Sequence, residues 1–201
     1  MPPNNSLMAL LTSTTGIRFS RGLNPRRNLP SHTARKRGES NFALAFERAY
    51  FQQRKTPGVV RREFDFAGYG IADLVWLFWP SPEMAGEGGA VGIEQQFRSL
   101  RVTAFEMKLR DWRKALAQAF RYSYFADTAV VVLPPATAVV AREAIAEFRR
   151  LKVGLWAFDA RAGTIKRLYT PPRKNKARSN QAREKAVASL LSLAKLRQLP
   201  K

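Results

Sequence analysis

Apolar and polar positions alternate along this chain in a way that predicts strands in six places and helices in four. A period of two, or a short continuous apolar run, is typical of strands, and apolar residues three and four apart are typical of packing helices. The predicted strands span residues 59–66, 70–79, 101–109, 128–133, 153–158 and 164–168. The predicted helices span residues 39–54, 112–125, 137–151 and 180–199. This order predicts an α/β domain in which a mixed central sheet is flanked by helices.

Short local signals set the ends of several elements. Ser40 or Asn41 is the expected cap of the first helix, and Asp111 that of the second. Residues 67–69 are expected to turn the first two strands into a hairpin, and Pro134 to end the fourth strand. The expected core-facing positions of the first three helices are Phe42, Phe46, Ala49, Gln53, Leu116, Ala119, Phe120, Ser123, Val140, Ala144, Ile145 and Phe148.

Positive charge is concentrated at the two ends of the chain. The formal net charge is +20 over 201 residues. Residues 1–38 carry seven Arg or Lys and no acid (+7), and residues 171–201 carry nine basic residues against Glu184 alone (+8). We therefore divide the chain into a flexible basic arm (1–38), an α/β domain (39–170) and a basic linker with an amphipathic C-terminal helix (171–201). Such a protein attracts polyanions through counterion release, so nucleic acid is the expected partner and an anionic membrane surface the weaker alternative.

Composition excludes several classes of chemistry. No cysteine is present, so disulfides, Cys-bound zinc and thiol catalysis are excluded. The one histidine, His32, lies in the basic arm, which excludes a Ser-His-Asp site in the core. No apolar run approaches the ~20 residues of a membrane span, and residues 7–11 are too short for a secretory signal. We expect a cytoplasmic, nucleoid-associated protein with no membrane partner; the acid-free N-terminus has a transit-peptide composition, but a disordered arm is the preferred interpretation.

Charged residues interrupt two of the apolar strands. Asp73 lies inside the strand predicted at 70–79, which is otherwise nearly all apolar. Glu106 and Lys108 stand two apart at the end of the next strand, so they point to one face while Met107 points to the other. Buried carboxylates and amines are costly without partners. A divalent cation and a phosphate would supply those partners, which makes metal-dependent cleavage of nucleic acid the first hypothesis.

The helix after this strand adds polar and basic side chains. Gln118 and Tyr122 are four residues apart and therefore share one helix face, where they are either part of an ordinary packing boundary or partners of Lys108 or a phosphate. The positions expected to contact nucleic-acid phosphates are Arg110, Arg113, Lys114 and Arg121.

These residues and their order resemble the PD-(D/E)xK nuclease superfamily, which has the restriction-endonuclease-like fold. The resemblance rests on Asp73 in GYGIADLVW, Glu106-x-Lys108 in FEMK, and Gln118-x-x-x-Tyr122 in QAFRY, the last being similar to RecB-type members. It covers roughly residues 39–160. Two departures are Ala72, where the family often has proline, and the long spacing of 33 residues from Asp73 to Glu106, which the loop at 80–98 must absorb.

The resemblance implies a DNA-hydrolysing site that uses Mg²⁺ or Mn²⁺. Its catalytic residues would be Asp73, Glu106, Lys108, Gln118 and Tyr122. Its metal ligands would be Asp73, Glu106, the backbone carbonyl of Met107 and, from the first helix, Glu47, with Glu39, Glu63 and Asp65 as weaker competitors. Lys108 would orient or deprotonate the attacking water, and Gln118 and Tyr122 would hold Lys108 or a phosphate.

Two other classes of function stay open at the level of sequence. The first is a non-catalytic DNA- or RNA-binding module of the same fold, and the second is a basic structural nucleic-acid protein, which leaves Asp73 and Glu106-x-Lys108 without a purpose. The apolar face of the C-terminal helix either packs on the core or binds a second copy or an accessory protein. DNA is the expected substrate, with RNA as the alternative.

Overall fold

The computed structural model describes residues 34–52, 54, 56, 58–79, 99–172 and 174–195. Within these residues one sheet of six strands is flanked by five helices, which confirms the predicted α/β class. The strands are β1 (Gly58–Phe66), β2 (Gly70–Phe78), β3 (Arg101–Met107), β4 (Thr128–Leu133), β5 (Val153–Asp159) and β6 (Thr164–Tyr169). The helices are α1 (Ala34–Gln52), α2 (Trp112–Tyr122), α3 (Pro135–Arg142), α4 (Ile145–Leu151) and α5 (Asn180–Lys195).

The strands lie across the sheet in chain order, and their directions follow from the connections. β1, β2 and β3 are antiparallel neighbours, β3, β4 and β5 run parallel, and β6 is antiparallel to β5. The β1–β2 hairpin turns tightly because Gly68 and Gly70 adopt φ values of 85° and 95°, which side chains with a Cβ rarely take. The parallel pairs need crossovers, which α2 provides between β3 and β4, and α3 with α4 between β4 and β5.

Apolar side chains cover both faces of the sheet. On one face α1 places Phe46 and Tyr50 against Phe105 and Trp156 in an edge-to-face aromatic cluster. On the other face α2 to α5 pack over residues such as Val102. Strand β3 follows the predicted alternation, because Phe105 and Met107 face α1 while Glu106 faces α2. Glu106 is therefore directed into the helical layer formed by α2.

In the β1–β2 hairpin, the regular alternation of side chains between the two faces of the sheet is interrupted at one position. Leu74 packs with α1, yet Ala72, two residues earlier, packs with Phe64 in the layer of α2 to α5. Residues i and i+2 of a regular strand share a face, so the alternation is broken between them. The break coincides with Glu63, which has a φ of 48° and lies between the paired positions of β1. Asp73 is the residue of β2 at this break.

The last helix belongs to the core. Its buried residues are Ala182, Ala186, Val187, Leu190 and Leu191, which pack in the same cluster as β1 and α2. Of the two expectations for its apolar face, packing on the domain is therefore the one observed. Residues 180–195 are part of the folded domain and not an appendage beyond residue 170.

A buried ion pair fastens the C-terminal segment to the start of β3. The Asp127 carboxylate accepts hydrogen bonds from the backbone N–H of Val102 (2.9 Å) and from Nε of Arg183 (3.0 Å). Nη2 of Arg183 also donates to the carbonyl of Leu100 at 2.5 Å. The side chain of Asn175 donates to the carbonyl of Asp127 at 3.1 Å. Polar partners on several elements thus satisfy an acid that is almost fully buried.

Helix α1 starts earlier than predicted. It begins at Ala34, inside the segment expected to be a flexible arm, so Ser40 and Asn41 lie within the helix and not at its N-terminus. The expectation for 1–38 is therefore wrong for residues 34–38. Residues 34–37 (Ala-Arg-Lys-Arg) are good helix formers, and the helix tolerates the single glycine at position 38. Phe42, Phe46 and Ala49 are buried as predicted, whereas Gln53, residues 1–33 and the loop at 80–98 lie outside the described residues.

The helix predicted at 137–151 is two helices, α3 and α4, with a break at residues 143–144. The inward positions of α3 are Ala138 and Ala141, and Val140 is 52% exposed, so its predicted core role is wrong. Small alanine side chains let α3 lie close to the sheet, which turns the larger valines outward. Among the described residues, no helix is long and apolar enough to cross a membrane.

We expect Asp127→Ala to lower the free energy of unfolding by about 3–5 kcal/mol, because it leaves the buried Arg183 guanidinium without its anion. Urea denaturation at neutral pH measures the change. Glu184→Ala, an exposed position of α5, is the matched control and should change stability by less than about 0.5 kcal/mol. A similar small effect of Asp127→Ala would contradict the anchoring role.

Candidate active site

Asp73 and the end of β3 meet where the two strands stop pairing. β2 and β3 are paired from Phe78↔Arg101 to Leu74↔Phe105. Beyond that point the Asp73 side chain replaces the backbone pairing between the two strands. Its Oδ2 accepts a hydrogen bond from the backbone N–H of Met107 at 2.6 Å. The acid of β2 is thus fixed to the backbone between Glu106 and Lys108.

Glu106 is held by side chains from two sides. Its Oε1 lies 2.8 Å from Nζ of Lys108, and its Oε2 lies 2.7 Å from the Tyr122 hydroxyl of α2. The side chain of Glu106 is only 1% exposed to solvent. We call Asp73, Glu106, Lys108 and Tyr122 the carboxylate–lysine cluster. It gathers residues from β2, the end of β3 and α2, which are distant in sequence.

The Tyr122 hydroxyl has two partners and one proton. It lies 2.6 Å from the carbonyl oxygen of Ile71 as well as 2.7 Å from Glu106. A carbonyl oxygen only accepts, so donation to Ile71 leaves the hydroxyl oxygen as the acceptor toward Glu106. Both contacts are satisfied together only when the Glu106 carboxyl is protonated and donates to the tyrosine. With an ionised Glu106 the hydroxyl donates to Oε2 instead, and Lys108 at 2.8 Å favours that form.

Burial raises the pKa values of both acids of the cluster, Asp73 and Glu106. Burial, reinforced by the Asp73 charge and opposed by Lys108, raises the pKa of Glu106 to about 7. Burial also raises the pKa of Asp73, with Lys108 and the Met107 amide acting against it. Burial would lower the pKa of Lys108, but the charges of Glu106 and Asp73 outweigh it and raise that pKa. Two crowded acids with one ammonium make a site that a cation would stabilise.

The acid that α1 brings to this cluster is Glu39. Its Oε2 lies 3.8 Å from Nζ of Lys108, and its charge raises the pKa of Asp73 further. Glu47 instead forms an ion pair with Arg62 of β1. It lies eight residues, or about 12 Å, along α1 from Glu39. The acid predicted as a metal ligand from the first helix, Glu47, is thus paired with Arg62, and the acid of α1 that lies beside the cluster is Glu39.

Tyr122 and Gln118 face the cluster, but their contacts differ from the expected ones. Tyr122 binds Glu106 and not Lys108, so it positions the carboxylate that in turn holds the lysine. Burial and the Glu106 charge raise the pKa of Tyr122, and a hydrogen bond from Gln118 acts in the opposite direction. Oε1 of Gln118 is buried and, among the described residues, has no hydrogen-bond partner.

The four basic residues expected to bind phosphates are all exposed around α2. Arg110, Arg113, Lys114 and Arg121 lie on the surface at or near the ends of the helix. The predicted cap is confirmed, since Asp111 accepts a hydrogen bond from the backbone N–H of Lys114 at 3.0 Å. These positions leave a positively charged surface beside the cluster.

Two partners in the site were not predicted from the sequence, and a third, Glu39, was predicted only as a weaker competitor. These two are backbone groups, the N–H of Met107 and the carbonyl of Ile71, and the residue type at a position does not predict the contacts of its backbone. Glu39 did carry a signal, because it stands three residues before Phe42 and so extends the buried stripe of α1 toward the sheet.

The oxygen donors of the cluster suit a hard cation that is only partly held by protein. They are the carboxylates of Asp73 and Glu106 and the carbonyl of Met107, which lies 3.4 Å from Nζ of Lys108. Within the part of the chain that is described, no group of three or more acidic or His side chains could hold a metal ion. Mg²⁺ typically uses one or two carboxylates together with waters and substrate phosphates. The residues therefore fit Mg²⁺ or Mn²⁺ bound jointly with a phosphate, and they do not fit an all-protein cage.

Comparisons with known proteins leave the function open. The sequence matches no protein-family model and no curated protein. Among solved structures it is similar to SPO1766, a protein of unknown function from Silicibacter pomeroyi, with 18% identity and a TM-score of 0.44 over 84% of this chain and 90% of that chain. The chemistry of the cluster is therefore the basis for a functional proposal.

The raised pKa of Glu106 predicts a pH-dependent stability in the presence of chelator. The folded state favours the protonated acid, so this stabilisation is complete below the unfolded pKa of 4.5 and is lost as the pH rises through about 7. Relative to Glu106→Gln, the wild type should lose roughly 3 kcal/mol of unfolding free energy over that window.

Urea titrations across this pH range measure the difference, with Glu143→Gln at an exposed position as the matched control. If the wild type and Glu106→Gln differ by the same amount at every pH, the raised pKa is wrong.

Proposed function

We propose that this chain is a nuclease of the PD-(D/E)xK type that hydrolyses phosphodiester bonds in DNA with Mg²⁺ or Mn²⁺. The observation that supports it most is the convergence of Asp73, Glu106 and Lys108. Asp73 is hydrogen-bonded to the amide of Met107 at 2.6 Å, and Lys108 lies 2.8 Å from Glu106. Two acids removed from water beside each other are costly, and such pairs are typical of functional sites.

The arrangement of elements also supports this proposal. The order α1–β1–β2–β3–α2–β4, with a β1–β2–β3 meander and β4 parallel to β3, agrees with the order that the resemblance implies. Asp73 comes from the second strand, Glu106 from the third, Lys108 from the position just after that strand, and Tyr122 from the helix that follows. Such a protein would act on the nucleoid in the cytoplasm.

Asp73, Glu106 and the carbonyl of Met107 would hold the cation, with Glu39 close enough to add charge. The cation would lower the pKa of a bound water and neutralise charge on the scissile phosphate. Lys108 stays protonated because its pKa is raised, so its role is to donate a hydrogen bond and stabilise charge in the transition state. This assignment replaces the alternative in which Lys108 removes a proton from water.

Tyr122 keeps Glu106 in place while Lys108 changes partner. In the structure Lys108 is bound to Glu106, and it must turn toward a phosphate oxygen when substrate arrives. The hydroxyl of Tyr122, itself anchored on the Ile71 carbonyl, retains Glu106 during that exchange. The exposed Arg110, Arg113, Lys114 and Arg121 would bind flanking phosphates and fix the position of the backbone.

We expect Lys108→Ala, Asp73→Asn and Glu106→Gln to lower Mg²⁺-dependent cleavage by at least about 10²–10³-fold while DNA binding in chelator persists. The assay incubates supercoiled, linear, single-stranded and branched DNA with Mg²⁺, Mn²⁺ or chelator. Lys166→Ala, an exposed lysine on β6, is the matched control and should cleave like the wild type.

Undiminished cleavage by purified Lys108→Ala would remove the catalytic assignment. Binding without cleavage by the wild type, on every DNA and with both metals, would assign the chain to the non-catalytic binding module instead.

Tyr122→Phe tests the positioning role separately. Loss of the hydroxyl leaves Glu106 without its second partner, so we expect activity at fixed metal to fall about 10–100-fold and the half-saturating Mg²⁺ concentration to rise. Tyr169→Phe on β6 is the matched control. A fall in activity that more Mg²⁺ does not recover would contradict positioning through Glu106.

A further inference from the structure

A row of aromatic rings lies at the tip of the β1–β2 hairpin, next to the end of α2. The Tyr69 ring lies 5.8 Å from that of Tyr124, which lies 6.1 Å from that of Phe120. We call Tyr69, Tyr124 and Phe120 the aromatic ledge. It joins the turn of the hairpin to the last turn of α2.

The centre of the contact between the hairpin and the end of α2 is Phe125, which is fully buried and whose ring lies 6.0 Å from Phe64 and 5.0 Å from Phe66. Tyr69 packs at the edge of this contact, 5.5 Å from Phe66 and 6.2 Å from Phe125. Tyr124, the neighbour of Phe125, is 37% exposed, and Tyr69 and Phe120 are half-buried. Large aromatic side chains left partly in water beside a site are candidates for ligand contact.

Positive charge accompanies the ledge. Arg121 is exposed, and its guanidinium lies beside Gly70 at the start of β2. The guanidinium of Arg178, an exposed residue that precedes α5, lies 4.7 Å above the Phe120 ring and also donates to Oγ of Ser123 at 3.0 Å. Aromatic faces with flanking arginines are the combination that binds single-stranded nucleic acid, since bases stack on the rings and phosphates meet the charges.

The ledge adjoins the carboxylate–lysine cluster through Tyr122. This residue is two positions from Tyr124, and its hydroxyl contacts both Glu106 and the carbonyl of Ile71. Ile71 is two positions from Tyr69, and its own side chain is 53% exposed. The ledge and the carboxylate–lysine cluster are thus connected through the start of β2 and the end of α2.

We propose that the aromatic ledge stacks unpaired bases, so that the chain selects single-stranded or locally unpaired DNA over continuous duplex. In duplex DNA the base faces are already stacked on each other and cannot meet Tyr69 or Tyr124. The basic segments bind either form through phosphates. The selection of a cleavage substrate rests on the proposed nuclease function, whereas the selection in binding does not require cleavage.

The test measures binding in chelator, by fluorescence anisotropy, of a labelled oligonucleotide of about 20 nucleotides and of its blunt duplex. Tyr69→Ala/Tyr124→Ala should weaken single-strand binding about 10–100-fold and change duplex binding less than about threefold. Tyr69→Phe/Tyr124→Phe, which keeps both rings, should recover most of the single-strand affinity. Val139→Ala/Val140→Ala, which removes exposed apolar surface on α3, is the matched control.

Equal losses on both forms, or no loss on either, would overturn the proposal. If the alanine pair does not fold, Tyr69→Leu/Tyr124→Leu keeps the apolar bulk without a stacking face and is expected to show the same selective loss. Cleavage with Mg²⁺ is scored separately. Selective binding without cleavage supports the role of the ledge and rejects the nuclease function. Cleavage without selective binding supports the nuclease function and rejects the role of the ledge.

Discussion

The burial of Glu106 at the end of β3 is the constraint on which the site depends. An ionised carboxylate without water is costly unless it is paired and hydrogen-bonded, and here Lys108 and Tyr122 supply the partners. A second acid, Asp73, lies close enough for its charge to raise the pKa of Glu106. The cluster thus holds two acids and one ammonium, and a further cation would balance its charge. The burial that packs the sheet is therefore also what would give the cluster its affinity for a cation.

The remainder of the fold gives that cluster a rigid base. The aromatic side chains of α1 cover one face of β3, and α2 covers the other, so Glu106 and Lys108 project from a strand that is fixed on both sides. At the start of the same strand Asp127 and Arg183 attach the C-terminal segment to Val102 and Leu100. Placing a site on strands and a helix, with the supporting residues buried, holds its geometry more closely than loops would.

Much of the fold follows from the sequence because its signals are local. The strand at 128–133 was predicted to the residue, since a continuous β-branched run bounded by Pro134 leaves little choice. The side of β3 that carries Glu106 followed from the period of two alone. Helix starts depend on weak cap preferences, which is why α1 begins at Ala34 and not near Ser40.

The contacts within the site required tertiary geometry. That Asp73 binds the Met107 amide depends on the break in alternation at Glu63, a residue type with no preference for a positive φ. That Tyr122 meets Glu106 and not Lys108 depends on how α2 crosses the sheet, which spacing does not define. Glu39 and Glu47 were told apart only by the direction of α1 relative to β3.

Tyr122 is anchored at residue 71 through a backbone oxygen, and this has a consequence for how the protein can change over time. The side chain of Ile71 takes no part in the anchor and is exposed, so mutation there leaves the hydroxyl contact intact. Residue 71 can therefore accept other side chains without loss of the backbone contact that anchors Tyr122 beside Glu106. For the proposed nuclease, this places a variable surface side chain and a fixed backbone contact of the site on the same residue.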